Sequence, residues 1–208
     1  MTKIKICGLF RDDDIAFANE AGPDYAGFVF AKSRRQVFPA QAARLRSRLR
    51  SGVTPVGVFV NEAADRIAEL CRDGIIGMVQ LHGSEDAAYI EALREALGAA
   101  AVPVIKAVRA ESREAVLEAA LVGADYLLLD HGTGGTGKSF DWALLEGGEF
   151  LAGLSVPCFL AGGVDVYNME EALALKPFGI DVSSGAETGG TKDRDKMIRL
   201  VAMARSRG

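Results

Sequence analysis

Histidine, cysteine and tryptophan are scarce in this chain, with two, three and one among 208 residues. Two histidines, His82 and His131, are too few for a histidine-rich metal centre, and no metal site is expected. The cysteines, Cys7, Cys71 and Cys158, are odd in number and far apart. No C-x-x-C pair exists among them, which argues against a zinc or redox motif and against a disulfide framework. Basic residues are not in excess: 24 Lys+Arg stand against 28 Asp+Glu, a net charge of −4, so binding nucleic acid through a broad basic face is not expected. No run approaches the roughly 18 consecutive apolar residues of a membrane span. The opening, MTKIKICGLF, has two lysines but no long apolar stretch with a small-residue cleavage site. It reads as the first strand of a cytoplasmic protein.

Apolar and charged residues make up 49% and 25% of the chain, which is globular composition and excludes intrinsic disorder. At roughly 150 residues per domain, the length predicts one domain spanning 1–208. Eight short runs rich in Val, Ile, Leu and Phe recur at 3–7, 25–30, 55–60, 76–81, 103–107, 126–130, 157–161 and 179–183. Each is too short for a helix and too continuously apolar for a half-exposed strand, so buried parallel strands are expected. Segments with apolar residues three or four apart follow them at 12–21, 40–50, 62–72, 85–97, 112–121, 141–151, 169–175 and 193–204, the spacing of amphipathic helices. Pro55, Pro103 and Pro157 open the third, fifth and seventh runs. Gly-x-Asp triplets at Gly22, Gly123 and Gly179 mark the second, sixth and eighth. Eight alternating units with this odd–even punctuation predict an α/β fold, a single (β/α)8 barrel of the TIM type; a doubly wound open sheet is the second choice.

In such a barrel the chemistry sits where the strands end. The tails offer Cys7-Gly8, then Lys32 with Arg34 and Arg35, then Asn61, Gln80 with His82, Lys106 with Arg109, and Asp130. The last two are Gly162-Gly163 and Ser183-Ser184-Gly185. Glycine-rich turns after the seventh and eighth strands present backbone N–H groups that can ring a phosphate, and this is favoured over simple tight turns. Asp130 is either a helix cap or a catalytic acid or base. Cys7 is either a small buried apolar residue or a reactive group facing the mouth. His82 fits a base, a hydrogen-bond partner or a core histidine. The basic cluster Lys32, Arg34 and Arg35 fits a solvated face or a carboxylate fork made by one of its arginines. Residues 132–139, Gly-Thr-Gly-Gly-Thr-Gly-Lys-Ser, match G-x-x-x-x-G-K-[ST], but they follow the sixth strand and no later apolar strand ends in an aspartate for Mg²⁺. A nucleotide triphosphatase is therefore disfavoured.

Several segments, in order over nearly the whole chain, resemble the phosphoribosylanthranilate isomerase family of tryptophan biosynthesis. They are Lys5-Ile6-Cys7-Gly8-Leu9, Gly27-Phe28-Val29-Phe30 with Lys32, Ser33 and Arg35, Val58-Phe59-Val60-Asn61, and Val79-Gln80-Leu81-His82-Gly83. Further along stand Leu128-Leu129-Asp130 with Gly134 to Lys138 and Phe140-Asp141-Trp142, then Ala161-Gly162-Gly163, and Asp181-Val182-Ser183-Ser184-Gly185-Ala186-Glu187 with Lys192-Asp193. The resemblance implies a (β/α)8 barrel and an Amadori rearrangement of the aminoaldose phosphoribosylanthranilate to its aminoketose. By that resemblance Asp130 is the general acid at the ribose ring oxygen and Cys7 the general base at C2. Arg35 holds the anthranilate carboxylate, and Gln80, His82, Gly162, Gly163, Asp181, Ser183, Ser184 and Gly185 complete the substrate site. The substrate's own iminium is the electron sink, so no metal or cofactor is implied, and the assembly is a monomer or homodimer with a small-molecule substrate and no nucleic-acid or membrane partner. A histidine-pathway isomerase barrel would carry aspartate in place of Cys7. Phe10, Ala31 and Gly190 depart from the family's usual Thr, Pro and Pro.

Overall fold

Strands apolar on both faces need cover on both, and this chain supplies it by closing its sheet on itself. The computed structural model describes residues 1–130 and 150–206. In it β1 (Lys3–Cys7), β2 (Tyr25–Val29), β3 (Thr54–Phe59), β4 (Met78–Leu81), β5 (Val104–Arg109), β6 (Tyr126–Asp130), β7 (Cys158–Leu160) and β8 (Gly179–Val182) pair in that order, all parallel, and β8 returns to β1. Outside lie α1 (Asp12–Ala21), α2 (Pro39–Arg48), α3 (Ala64–Arg72), α4 (Ala87–Leu97), α5 (Arg113–Ala119), α6 (Met169–Ala174) and α7 (Arg194–Arg205). The eight expected strands are present, each within about two residues of its sequence bounds. The helix expected at 141–151 falls almost wholly outside the described residues, as do His131, Trp142 and the glycine-rich segment 132–139. One feature was not expected: an antiparallel pair, β9 (Glu187–Thr188) and β10 (Thr191–Lys192), set between β8 and α7.

Alternation along each strand sorts side chains into two cores. Ile4, Ile6, Phe28, Val79, Leu81, Leu127, Leu129, Ile180 and Val182 point outward into the layer shared with the helices. Val56, Met78, Ile105, Ala107, Leu128, Phe159 and Ala161 fill the barrel, with Tyr25, Tyr126 and Phe178 closing its lower end. The same phase turns Lys5, Cys7, Gln80, His82, Arg109, Asp130, Asp181 and Ser183 inward. Lys106 has the opposite parity and is not a rim group: behind the strand its Nζ donates to Glu85 Oε2 and to the Gly83 carbonyl, both at 2.8 Å.

The Gly-x-Asp punctuation divides on inspection. Asp24 Oδ2 accepts from the Ile4 amide at 3.0 Å and Asp125 Oδ2 from the Val104 amide at 2.8 Å, so each caps the start of the preceding odd strand. Asp181 is not their equivalent. Gly179 already belongs to β8, so the triplet is displaced into the strand and Asp181 lands inside the barrel.

Local capping fixes the loop beyond Cys7. The Asp14 carboxylate accepts from the amides of Phe10 and Arg11, both at 3.0 Å, while Arg11 forks onto its other oxygen. Phe10 packs against the outer core and its carbonyl accepts from Gln41 at 2.7 Å, so this departure from the family pattern keeps the helix start intact. At the far end of α1, Gly22 adopts φ 68° and donates its N–H to the Ala18 carbonyl, a left-handed termination that favours glycine.

Candidate active site

Cys7 is the last residue of β1 and Asp130 the last of β6, so both stand on the inner face at the C-terminal rim. The remaining predicted residues gather at the same end. Arg35 follows β2, Gln80 and His82 belong to the end of β4, Gly162 and Gly163 follow β7, and Ser183, Ser184 and Gly185 follow β8. Asp181 lies one inward position below Ser183.

Around Asp130 the polar contacts form a chain. The Gln80 amide nitrogen lies 2.9 Å from His82 Nδ1, and His82 Nε2 lies 3.4 Å from Asp130 Oδ2. With Gln80 donating to Nδ1, the imidazole carries its proton on Nε2 and turns it toward the carboxylate. Gln80 is buried, and its other side-chain atom, Oε1, has no hydrogen-bond partner among the described residues.

Around Cys7 the environment is charged. Burial pushes its thiol up; the Lys5 ammonium pulls it back, the Asp181 carboxylate pushes it up again, and Lys192 pulls it down. Lys5 Nζ donates to Asp181 Oδ1 at 2.8 Å, with both side chains nearly or fully shut off from solvent. Burial alone would lower the Lys5 ammonium, but Asp181 and Cys7 outweigh it and hold it above the ordinary lysine value. The other cysteines are structural. Cys71 and Cys158 are buried, and burial lifts their thiols to about 11, against a small pull from Arg72, and to about 12.

Arg35 is held from behind. Its Nε and Nη2 donate to the two oxygens of Glu187 at 2.6 and 2.9 Å, and its Cδ crosses Gly8, where a Cβ would sit 2.4 Å away. Arg34 and Lys192 also bond Glu187, at 2.6 and 2.8 Å. Burial raises the Glu187 carboxyl, but the bonds from Arg35 and Lys192 overcome this and leave it below the ordinary glutamate value. The clamp occupies one edge of the Arg35 guanidinium and leaves the other free to meet a second carboxylate. Sequence reasoning assigned no role to Glu187, Lys192 or Lys5. Of the three, Lys5 was detectable, because a lysine two positions before Cys7 in a strand shares its face.

The loops after β7 and β8 interlock. Gly162 and Gly163 take φ 85° and 82°, and Asn168 Nδ2 donates to the Gly163 carbonyl at 3.0 Å. A Cβ on Gly185 would meet the Val164 carbonyl at 2.0 Å, so glycine is needed there for the approach of two backbones. Among the described residues the amides of Gly163, Ser184 and Gly185 donate to no protein acceptor, which leaves them the kind of open donor that can serve an anion. No cluster of His, Cys, Asp and Glu among the described residues could hold a metal ion, and no helix among them is long and apolar enough to cross a membrane.

Fold and rim together define a (β/α)8 barrel enzyme. The family model for N-(5'-phosphoribosyl)anthranilate (PRA) isomerase matches residues 4–203. A relative from Endomicrobium trichonymphae, named N-(5'-phosphoribosyl)anthranilate isomerase, is 46% identical over 99% of this chain and 100% of its own. The crystal structure of phosphoribosyl anthranilate isomerase from Thermotoga maritima superposes with a TM-score of 0.86 at 34% identity, covering 99% of this chain and 100% of the other. A structure of the isomerase in complex with reduced 1-(o-carboxyphenylamino)-1-deoxyribulose 5-phosphate is similar at TM-score 0.84 and 32% identity, over 99% and 100% of the two chains. The chain belongs to the phosphoribosylanthranilate isomerase family.

Proposed function

We propose that the isomerisation runs by general acid–base catalysis between Asp130 and Cys7. The reaction is the Amadori rearrangement of N-(5'-phosphoribosyl)anthranilate, an aminoaldose, to 1-(2-carboxyphenylamino)-1-deoxyribulose 5-phosphate in tryptophan biosynthesis. Asp130, as the carboxylic acid, gives its proton to the ribose ring oxygen. The C1–O bond breaks and the anilino nitrogen lone pair forms the C1=N iminium. The Cys7 thiolate then takes the C2 proton, and the C–H electron pair becomes the C1=C2 bond of an enolamine while nitrogen recovers its lone pair. A proton added at C1 and one lost from the C2 hydroxyl leave the ketone. Positioned proton transfer of this kind contributes about 10²–10⁴-fold to a rate.

The observation that carries this reading is that Cys7 and Asp130 end two separate strands on the inner face of one rim, β1 and β6. Supporting groups take consistent roles. The phosphate sits on the amides of Gly163, Ser184 and Gly185, with Gly162 and Ser183 shaping the turns. The anthranilate carboxylate meets the open edge of Arg35. Gln80 Oε1, a buried acceptor, takes a hydrogen bond from the substrate, and His82 orients the Asp130 carboxylate. The test is conversion of phosphoribosylanthranilate by the purified protein, read as loss of the substrate's fluorescence. A protein that binds the substrate yet leaves its fluorescence unchanged contradicts the reading.

A further inference from the structure

Two residues below Cys7, on the same inward face of β1, Lys5 has no exposed surface at all. Its carboxylate partner, Asp181, stands beside it in register across the β1–β8 pair. Stability gives no reason for such a pair: several kcal/mol are needed to desolvate each ion, and apolar side chains often replace a buried pair without loss. Its position gives one. An ammonium has three donors, and one of them serves Asp181. The Cys7 sulfur lies on the same inward face two residues on, and its charge and that of the ammonium act on each other. On its far side the sulfur is walled by β2, where a Cβ on Gly27 would come within 2.8 Å of Sγ. Among the described residues three charged groups act on the sulfur: Lys5 from β1, Asp181 from β8 and Lys192 from β10, the last tied to Glu187 and to the Ser183 carbonyl. His82 and Asp130 stand elsewhere on the rim.

We propose that Lys5 is a positioning residue for the base: held by Asp181, its ammonium supplies the counter-charge that lets Cys7 exist as a thiolate inside the barrel. The proposal rests on the reading of Cys7 as the base and supplies what that reading lacks. A free thiol is only a few per cent ionised near neutrality, and burial opposes even that fraction. Lys5 is the largest influence against burial, whereas Asp181 acts on the sulfur in the opposite sense. Asp181 thus serves the ammonium, keeping it charged and in place, instead of reaching the substrate.

The experiment measures Cys7 alkylation by iodoacetamide against pH, read on the Cys7 peptide by mass spectrometry, beside the pH profile of turnover. Lys5→Met is expected to raise the apparent Cys7 pKa by about one unit or more. Turnover near neutrality should then fall about tenfold, recover at alkaline pH and leave KM unchanged. Lys5→Met combined with Asp181→Asn leaves no lone buried carboxylate, so it guards against a folding failure, and it should shift the pKa the same way by less. A folded Lys5 variant, single or double, whose Cys7 titrates as in the unmodified protein overturns the proposal. If the shifts appear but Cys7→Ala keeps its turnover, Lys5 still sets the thiol and the reading of Cys7 as base is what fails.

Discussion

His82 Nε2 lies 3.4 Å from Asp130 Oδ2, and the Gln80 side-chain nitrogen stands behind the ring, 2.9 Å from Nδ1. The bond is long, so His82 acts by orienting the carboxylate more than by binding it tightly. We expect His82→Ala to lower kcat by about tenfold with KM changed far less, because a misaimed acid slows the reaction without removing a substrate contact. Steady-state kinetics check this. A rise in KM with kcat intact would make His82 a substrate ligand instead.

Arg35 and Glu187 act as one device. Arg35→Ala is expected to raise KM for phosphoribosylanthranilate at least about tenfold, the scale of a lost charge-assisted fork. The same variant should bind a decarboxylated analogue about as well as the unmodified protein does. Glu187→Gln should raise KM in the same direction by less, since Arg35 keeps its charge but loses its brace. Equal losses with and without the ring carboxylate contradict the assignment.

Gly185 has no room for a side chain, because a Cβ there would overlap the Val164 carbonyl at 2.0 Å. Gly185→Ala must part the loops after β7 and β8. Binding of inorganic phosphate, measured by calorimetry, is expected to weaken at least about tenfold, a loss of roughly 1.4 kcal/mol. Unchanged phosphate affinity would place the anion elsewhere.

Glu85 staples the loops below His82. Its Oε1 accepts from the Asn61 amide at 2.7 Å, and its Oε2 from the Gly83 amide and Lys106 Nζ, both at 2.8 Å. Burial raises this carboxyl, but the bonds from Lys106, from the Asn61 amide and from its own backbone amide outweigh it and hold it below its ordinary 4.5. A folded-state value below the unfolded one stabilises the fold fully above about 4.5, and that stability is lost as pH falls through the folded value. We expect Glu85→Gln to cost about 3 kcal/mol near neutrality, the scale of a buried ion pair broken on one side. The difference from the unmodified protein should narrow in acid. Denaturant unfolding at two pH values checks it, and a difference that grows in acid contradicts it.

Most of the barrel was legible because its strands are short, apolar and regularly spaced, and parallel burial on both faces leaves that signature. Cys7, Asp130 and the glycine turns were legible as polar or glycine tails on those strands. Lys106 misled because it also ends an apolar run; only its parity with Ile105 and Ala107, now visible, sends it behind the sheet. Gly179-Ile180-Asp181 repeats the triplet three residues later relative to its strand than the triplets at Gly22 and Gly123 do, so Asp181 lies inside β8 and not ahead of it. Glu187 closes the Asp181–Glu187 segment that carries the family resemblance, but nothing beside it in sequence gives it a role. Its significance comes from Arg34, Arg35 and Lys192 converging on it, and the arginines lie about 150 residues away in sequence.

The most direct measurement is single-turnover decay of phosphoribosylanthranilate fluorescence by Cys7→Ala and by Asp130→Asn, each shown to be folded and to bind phosphate. Acid–base catalysis shared between these two side chains predicts that each variant slows the decay by about a thousandfold. Decay at close to the unmodified rate in either variant would contradict it and strip that residue of its part in the chemistry.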